Sequence, residues 1–330
     1  HGITVKEEFG GADMGYLAHC VAREEISRAS ASVGLSYGAH SNLCVNQIHR
    51  WGSPEQKDRY LPKLISGEHV GALAMSEPGS GSDVVSMRTC ADKRGDRYVL
   101  NGNKMWITNG GIADVAVVWA RAEEGVRGFL VPRGTKGFET RDIHRKLSLR
   151  ASVTSELILD GCRLPADAVL PDVTGMRGPL SCLNEARFGI VWGAMGAARA
   201  CYESALEYSK TRSQFGKPIG SFQLTQKKLV DMLLEIEKGM LVALHLGRLK
   251  DEGKAAPQQI SFGKLNNVRE AIAIAREART ILGANGITLE YPVIRHMNNL
   301  ESVLTYEGTH EVHTLVVGQA LTGENAFGRS

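Results

Sequence analysis

Helical and strand-like patterning occupy separate stretches of this chain, and that segregation limits the possible folds more than any single residue does. Alternating strands and helices would imply a doubly wound parallel sheet. Segregated ones imply separate helical and β layers, an α+β architecture. Residues 1–68 read as a helical domain. Leu17–Ser30 and Ser32–His49 carry apolar residues at helical spacing, and Ser53-Pro54-Glu55 opens a third helix with a serine N-cap and proline in the first position. Residues 69–172 read as a β-domain. Its strands are Val70–Met75, Arg88–Ala91, Arg97–Leu100, Lys104–Thr108, Val115–Ala120, Gly128–Val131 and Glu156–Leu159, with Asn101-Gly102 as a turn. Strands so spaced point to a compact β-barrel or sandwich. Residues 173–330 hold Leu183–Lys210, Phe222–Glu252, Ile260–Leu282 and Leu300–Leu321, each with helical periodicity. Breaks at Gly216–Gly220 and Lys254–Pro257 make these an antiparallel four-helix bundle.

With 43% hydrophobic and 23% charged residues, a chain of 330 residues can bury such layers. A net charge of +3 is too small to argue for nucleic acid. No window approaches the roughly 18 apolar residues of a membrane span. Six cysteines without a C-x-x-C pair argue against structural zinc and fit a reducing compartment. The start at His1-Gly2-Ile3-Thr4-Val5, without an initiator Met, leads us to expect that the natural N-terminus and its first helices precede it. The compartment, bacterial cytoplasm or mitochondrial matrix, is then undecided.

Within this frame, Thr305-Tyr306-Glu307-Gly308-Thr309 sets one carboxylate between an aromatic ring and a glycine. A Glu held against apolar groups has a raised pKa and suits a general base taking a proton from carbon. A solvated Glu ending a helix is the plainer reading. Ser76-Glu77-Pro78-Gly79-Ser80-Gly81-Ser82-Asp83 offers backbone N–H groups and hydroxyls to a phosphate or the polar edge of a ring, or is an ordinary barrel loop. Trp106-Ile107-Thr108 presents an indole beside a hydroxyl, or a core indole. Arg212-Ser213-Gln214-Phe215-Gly216 can present a cation to a diphosphate, or is a helix C-terminus with a glycine stop. Gly283-Ala284-Asn285-Gly286 is a turn near a helix end. His310 and His313 lack a third ligand in the pattern, so no metal site is expected.

Taken in this order, the Ser76–Asp83 loop, Trp106-Ile107-Thr108, Arg212-x-x-Phe215-Gly216 and Tyr306-Glu307-Gly308-Thr309 resemble the motifs of the flavin-dependent acyl-CoA dehydrogenase family over essentially the whole chain. The resemblance implies a helical N-terminal domain, a central β-domain and a C-terminal four-helix bundle. It implies FAD lined by Leu73, Met75, Ser76, Gly81 and Ser82, with Trp106, Ile107 and Thr108 at the isoalloxazine. Arg212, Phe215, Gln223, Thr280, Leu282, Gly283, Ala284, Thr309 and Glu311 would reach the diphosphate and adenine side of an FAD held by a neighbouring subunit. Ala284 stands where the family usually has glycine. Substrate would meet Ser82, Leu35, Ala39, Leu183, Asn184, Tyr306 and Gly308, with Arg187 on the CoA moiety. Glu307 would be the catalytic base. The implied partners are an acyl-CoA substrate, electron-transferring flavoprotein and further copies of the chain as a dimer of dimers, in amino-acid or fatty-acid catabolism. An acyl-CoA oxidase using oxygen, or a non-catalytic binding or assembly member, is the alternative.

The acyl group is signalled two ways. Glu24-Glu25-Ile26-Ser27-Arg28-Ala29-Ser30 and Gly34–Asn42 resemble isovaleryl-CoA dehydrogenases. Lys146–Ser152, Cys182–Arg187 and Thr305–His310 resemble glutaryl-CoA dehydrogenases. The isovaleryl type takes its base at the position of Ala186, which cannot serve. The glutaryl type holds the distal carboxylate with an Arg-Ser pair, at the position of Gly34-Leu35. Leu35 and Ala39 therefore favour a neutral branched chain, and Arg28 is the cation that would hold a carboxylate in a different register.

Overall fold

The computed structural model describes residues 1–328. Backbone contacts divide the chain into two compact units. One holds 1–15, 35–146 and 150–186; the other holds 16–34, 147–149 and the residues from 187 on.

Helix α1, Gly15–Ala29, belongs to the second unit but for its first residue; α2, Ala31–Gly38, runs from the second unit into the first at Leu35; and α3, Asn46–Trp51, lies in the first. Ser32–His49 is thus not one regular helix; a buried π-helical stretch, Ala39–Val45, joins α2 to α3. Helix α4, Pro54–Ser66, starts as expected. Gln56 N–H donates to Ser53 Oγ at 3.2 Å, and Ser53 N–H donates to Gln56 Oε1 at 3.0 Å, a reciprocal cap.

Seven strands follow in one curled sheet: β1 Gly71–Ala74, β2 Cys90–Arg94, β3 Arg97–Thr108, β4 Val115–Ala122, β5 Gly125–Pro132, β6 Phe138–Asp142 and β7 Thr154–Pro165. Their order is β1-β4-β2-β3-β7-β6, with β5 also paired to β4. Strand β4 reads Val-Ala-Val-Val-Trp-Ala because it is buried on both faces. Val115, Val117 and Trp119 pack with Leu43, Ile48, Leu61 and Leu64 of the helical layer. Ala116, Val118 and Ala120 pack with Tyr98, Leu100, Phe129 and Leu157 on the other side. Two expectations change here. Asn101-Gly102 is not a turn: the register of β3 against β7 shifts between Leu100 and Gly102, so the pair lies at a bulge inside one long strand. Strand β6 is solvent-facing along most of its length and carries no apolar alternation to reveal it.

Helix α5, Arg177–Thr211, starts in the first unit and continues from Arg187 in the second. A two-strand ribbon, β8 Ser213–Gln214 and β9 Lys217–Pro218, separates it from α6, Gln223–Asp251. Phe215 and Gly216 both have positive φ, 52° and 79°, so they form a hairpin tip rather than the helix stop read from Gly216. Helix α7 is Pro257–Ile281. The expected fourth helix, Leu300–Leu321, is two helices, α8 Val293–Thr305 and α9 His310–Thr322. The break falls on Tyr306–Thr309. Ile190, Met195, Ala198, Met232, Ile236, Ala271, Ala275, Leu300 and Val303 form the bundle core. Helix α1 packs at one end of it, Cys20 meeting Phe188, Trp192 and Leu246. Its inner face is mostly polar, burying His19, Arg23, Glu24 and Ser27 where apolar residues were expected.

Candidate active site

The last helix of the bundle breaks because its backbone carbonyls are turned inward to side chains of other helices. Tyr306 N–H still closes α8 on Ser302 O at 2.9 Å. Glu307 then takes φ +55° and Gly308 φ +90°, neither of which continues a right-handed helix. Thr309 restarts it, its hydroxyl accepting from Val312 N–H at 3.2 Å. Three buried or half-buried side chains hold the break. Lys264 of α7, 2% exposed, donates to Tyr306 O and, at 2.6 Å, to Gly308 O. Arg187 of α5 donates to Glu307 O at 2.9 Å. His313 of α9 also reaches Glu307 O, at 3.1 Å. A carbonyl accepts, so His313 carries its proton on Nε2, and Nδ1 accepts from the Ser261 hydroxyl at 2.9 Å.

Gly308 is needed for two reasons. Its φ is strained for any other residue, and a Cβ there would lie 2.8 Å from His313 Nε2. The left-handed turn at Glu307 leaves the carboxylate oxygen Oε2 buried with no hydrogen-bond partner. Burial raises the Glu307 pKa, against the opposing pull of Arg187, Lys264 and Arg23. Burial lowers Lys264 to about 7, Glu307 resisting the change, and lowers His313 to about 3. The result is a carboxylate of raised proton affinity, ringed by cations, on a turn that side chains of α5, α7 and α9 hold rigid. Such a group can take a proton from a weak carbon acid.

In the first unit, Trp106 has φ +64° and is 63% exposed. The β3–β7 register shifts again between Lys104 and Ile107, and this bulge throws the indole out of the sheet. The indole is therefore not core. Met105 N–H donates to Ser76 O at 2.9 Å, which ties the Ser76–Asp83 loop to the bulge. The loop is anchored by a pair that the sequence did not single out. Lys104 Nζ lies 2.9 Å from Glu77 Oε1 and 3.0 Å from Met75 O. Arg88 and Thr89 N–H donate to the same carboxylate at 2.6 and 2.9 Å. Burial would raise the Glu77 pKa, but the hydrogen bonds from Thr89, Arg88 and Lys104 outweigh it and bring it to about 2. Ser76 and Thr108 are half-buried, and Gly81 and Ser82 exposed. Leu73, Met75 and Ile107 are buried core residues, so only their backbone can meet a ligand. Ala39 and Leu183 are likewise in the core, whereas Leu35 and Asn184 are half-buried.

In the second unit, Arg212, Phe215, Gln223, Thr280, Gly283, Ala284 and Glu311 are all exposed, Phe215 to 92%. Leu282, by contrast, is buried. The Thr309 hydroxyl is used as a helix cap, and Thr280 donates to Arg276 O at 3.0 Å. Arg187, assigned by resemblance to CoA, is committed at Nε to the Glu307 carbonyl. Arg28 is not an available cation: it is paired with Glu25 at 2.9 Å and Glu203 at 2.7 Å. Sequence reasoning missed Lys264 and Arg23. Their signal was a cation on the inner stripe of a helix, Lys264 recurring with Ile260, Asn267, Val268 and Ala271. Among the described residues, no three His, Cys, Asp or Glu side chains are grouped to hold a metal ion, and no helix is long and apolar enough to cross a membrane.

The chain belongs to the acyl-CoA dehydrogenase family. Profiles of its N-terminal, middle and C-terminal domains match residues 1–68, 72–162 and 174–322. The fold is accordingly that of the family, a helical N-terminal region, a middle β-domain and a helical C-terminal region. Mitochondrial isovaleryl-CoA dehydrogenase of Oryza sativa subsp. japonica is 44% identical, over 98% of this chain and 81% of that protein. The crystal structure of glutaryl-CoA dehydrogenase from Mycobacterium smegmatis superposes with a TM-score of 0.97 at 58% identity, covering 99% of this chain and 84% of that one. A glutaryl-CoA dehydrogenase from the same organism, in complex with FADH2, gives 0.98 at 54% identity, with 99% and 84% covered. Both resemblances read from the sequence are therefore present among the relatives.

Proposed function

We propose that the chain catalyses flavin-dependent α,β-dehydrogenation of a short-chain or branched acyl-CoA thioester, of the isovaleryl-CoA or glutaryl-CoA type, with Glu307 as the base. The observation that carries this is Glu307 itself: a half-buried residue whose carboxylate has raised proton affinity and a buried, unpartnered Oε2, on a turn fixed by Lys264, Arg187 and His313. Glu307 takes the proton from the α-carbon while a hydride leaves the β-carbon, and the Cα=Cβ bond forms. The backbone N–H of Glu307 stabilises the developing enolate at the thioester oxygen. Burial raises the proton affinity of the carboxylate, and the charges of Arg187 and Lys264 pull it the other way.

The residues present fit FAD. An exposed indole at a bulge, with Thr108 and the Ser76 loop tied beside it, offers a flat apolar face and polar edge groups to a ring. Arg212, Gln223 and Thr280 stand exposed in the second unit, as a diphosphate- and adenine-binding set on a neighbouring subunit's cofactor requires. Bound there, FAD would supply the hydride acceptor and a route for the electrons to electron-transferring flavoprotein. Exposed Leu224, Val230, Leu234 and Leu241 along α6 support assembly with further copies, a dimer of dimers. The proposed setting is a mitochondrial matrix or a bacterial cytoplasm.

The test is anaerobic bleaching of the yellow protein by acyl-CoA. Glu307→Gln should keep the flavin colour and lose bleaching by substrate. Normal bleaching in that variant would remove Glu307 as the base.

A further inference from the structure

Lys104 and Glu77 form a buried ion pair to which the chemistry above gives no part. Lys104 is 0% exposed and Glu77 7%. Two charges taken out of water are costly unless their hydrogen bonding is close to complete. Here it is. Lys104 Nζ donates to Glu77 Oε1 at 2.9 Å and to Met75 O at 3.0 Å. Arg88 N–H donates to Glu77 Oε2 at 2.6 Å, and Thr89 N–H to Oε1 at 2.9 Å. These bonds join the two arms of one loop, which Glu77 opens and Arg88 and Thr89 close. The closing arm is held as well by Arg121 of β4. Its Nη2 donates to Val85 O at 2.5 Å, its Nε to Met87 O at 2.6 Å, and its backbone N–H to Thr89 O at 2.9 Å. A glycine admits this arm to the sheet. Gly102, at the first bulge of β3, has φ +144°, and a Cβ there would stand 2.7 Å from Thr89 Cα. The loop tip, residues 81–83, stays exposed.

The pair also brackets Ser76. Both neighbours of that residue, Met75 and Glu77, bond Lys104, and Ser76 O accepts from Met105 N–H at 2.9 Å. Two consecutive residues of β3 therefore grip three consecutive residues of the loop, and the next residue of β3 is Trp106 at the second bulge. We propose that Lys104 and Glu77 are positioning residues for the flavin: they build its seat in advance, by locking Ser76 and the loop against the strand end that carries Trp106 and Thr108. The assignment rests on the reading of those residues as part of the FAD site. A loop that its ligand must order subtracts the ordering cost from the affinity, and a loop already ordered does not. That cost is large for a stretch rich in glycine, which loses the most backbone freedom. Apolar packing could not do the same work. A loop outside the sheet ladder has backbone N–H and C=O groups to satisfy when buried, and the pair satisfies those of Arg88, Thr89 and Met75.

The experiment compares the flavin-loaded wild type with Lys104→Met, Glu77→Gln and the double variant. It reads FAD release and refilling, the flavin absorption band and the thermal midpoint. Each single variant leaves one buried charge without its partner, so midpoint and FAD affinity should both fall. The double variant removes both charges, and its midpoint should return to within a few degrees of wild type. Its FAD affinity should stay lowered by roughly 10-fold or more, with the flavin band closer to that of free FAD. A pair that only stabilises the fold predicts otherwise: affinity and band would recover together with the midpoint, and that result would overturn the assignment. A second measurement needs no variant. In the wild-type chain stripped of FAD, the amides of Arg88, Thr89 and Met105 should exchange with solvent deuterium as slowly as in the loaded protein. Exchange that is fast without FAD and slows only on loading would mean that the cofactor orders the loop, and would overturn the assignment too. A wild type that holds FAD with these amides protected, yet is bleached by neither glutaryl-CoA nor isovaleryl-CoA, would sink the dehydrogenase reading and leave the assignment standing.

Discussion

Replacing Gly308 by alanine tests whether the break in the last helix is held as described. Two costs can be worked from the geometry. Residue 308 has φ +90°, where an L side chain is strained by about 1–2 kcal/mol. The new Cβ would lie 2.8 Å from His313 Nε2, so the imidazole must move and lose its 3.1 Å bond to Glu307 O. A lost neutral hydrogen bond that leaves its partner buried costs about 1–2 kcal/mol more. Together Gly308→Ala should destabilise the protein by about 2–4 kcal/mol. It should also displace the Glu307 carboxylate, and a shift of about 1 Å in a base is worth on the order of 100-fold in rate. The assays are urea unfolding and the anaerobic bleaching rate. A double-mutant cycle with His313→Ala separates the terms: in that background only the backbone strain should remain, leaving a coupling of about 1–2 kcal/mol. If Gly308→Ala costs the same with and without His313, the close approach is not what requires glycine. If it costs less than about 0.5 kcal/mol in the wild type, the strain argument fails too.

Lys264→Met removes two hydrogen bonds to the turn and one of the charges that lower the Glu307 pKa. The acid limb of the pH–rate profile should therefore move to higher pH, and an unmoved limb would show that Lys264 does not act on the base. Burial holds His19 and His313 at about 3 and His296 at about 4 when folded, below the ordinary histidine value. The unfolded chain then binds more protons than the folded one between those values and pH ~6.5, so stability should be full above pH ~6.5 and fall on acidification. With all three contributing, the loss near pH 5 approaches about 4 kcal/mol per pH unit, readable as a falling urea midpoint between pH 6.5 and 4.5. A midpoint flat across that interval would mean these imidazoles titrate normally in the folded protein.

Much of the fold was legible because it rests on local periodicity. The start of α4 was readable from Ser53 and Pro54, and the buried β4 from its unbroken apolar run. The misreadings share a cause. Asn101-Gly102 looks like a hairpin turn, but its neighbours pair across to β7, and the bulge is set by that partner strand. Residues 300–321 look like one helix because propensity does not record that Lys264, 42 residues away from Tyr306, competes for its carbonyl. Helix α1 looked apolar-faced, whereas its buried positions include Arg23 and Glu24, whose environment depends on α5.

The sequence by itself determined the layer order, the family and Glu307 as the candidate base. Each of these is written in short motifs and local spacing, which survive without knowledge of distant contacts. Only the tertiary structure decided why that carboxylate has a raised proton affinity, and which cations surround it. Arg187 meets the Glu307 carbonyl across 120 residues of chain. Arg28, the cation that the sequence pointed to, is spent on surface carboxylates, while Arg23 is buried against the glycines of α5. Desolvation and charge pairing depend on what is packed nearby in space, and that is a property the order of residues along one helix does not contain.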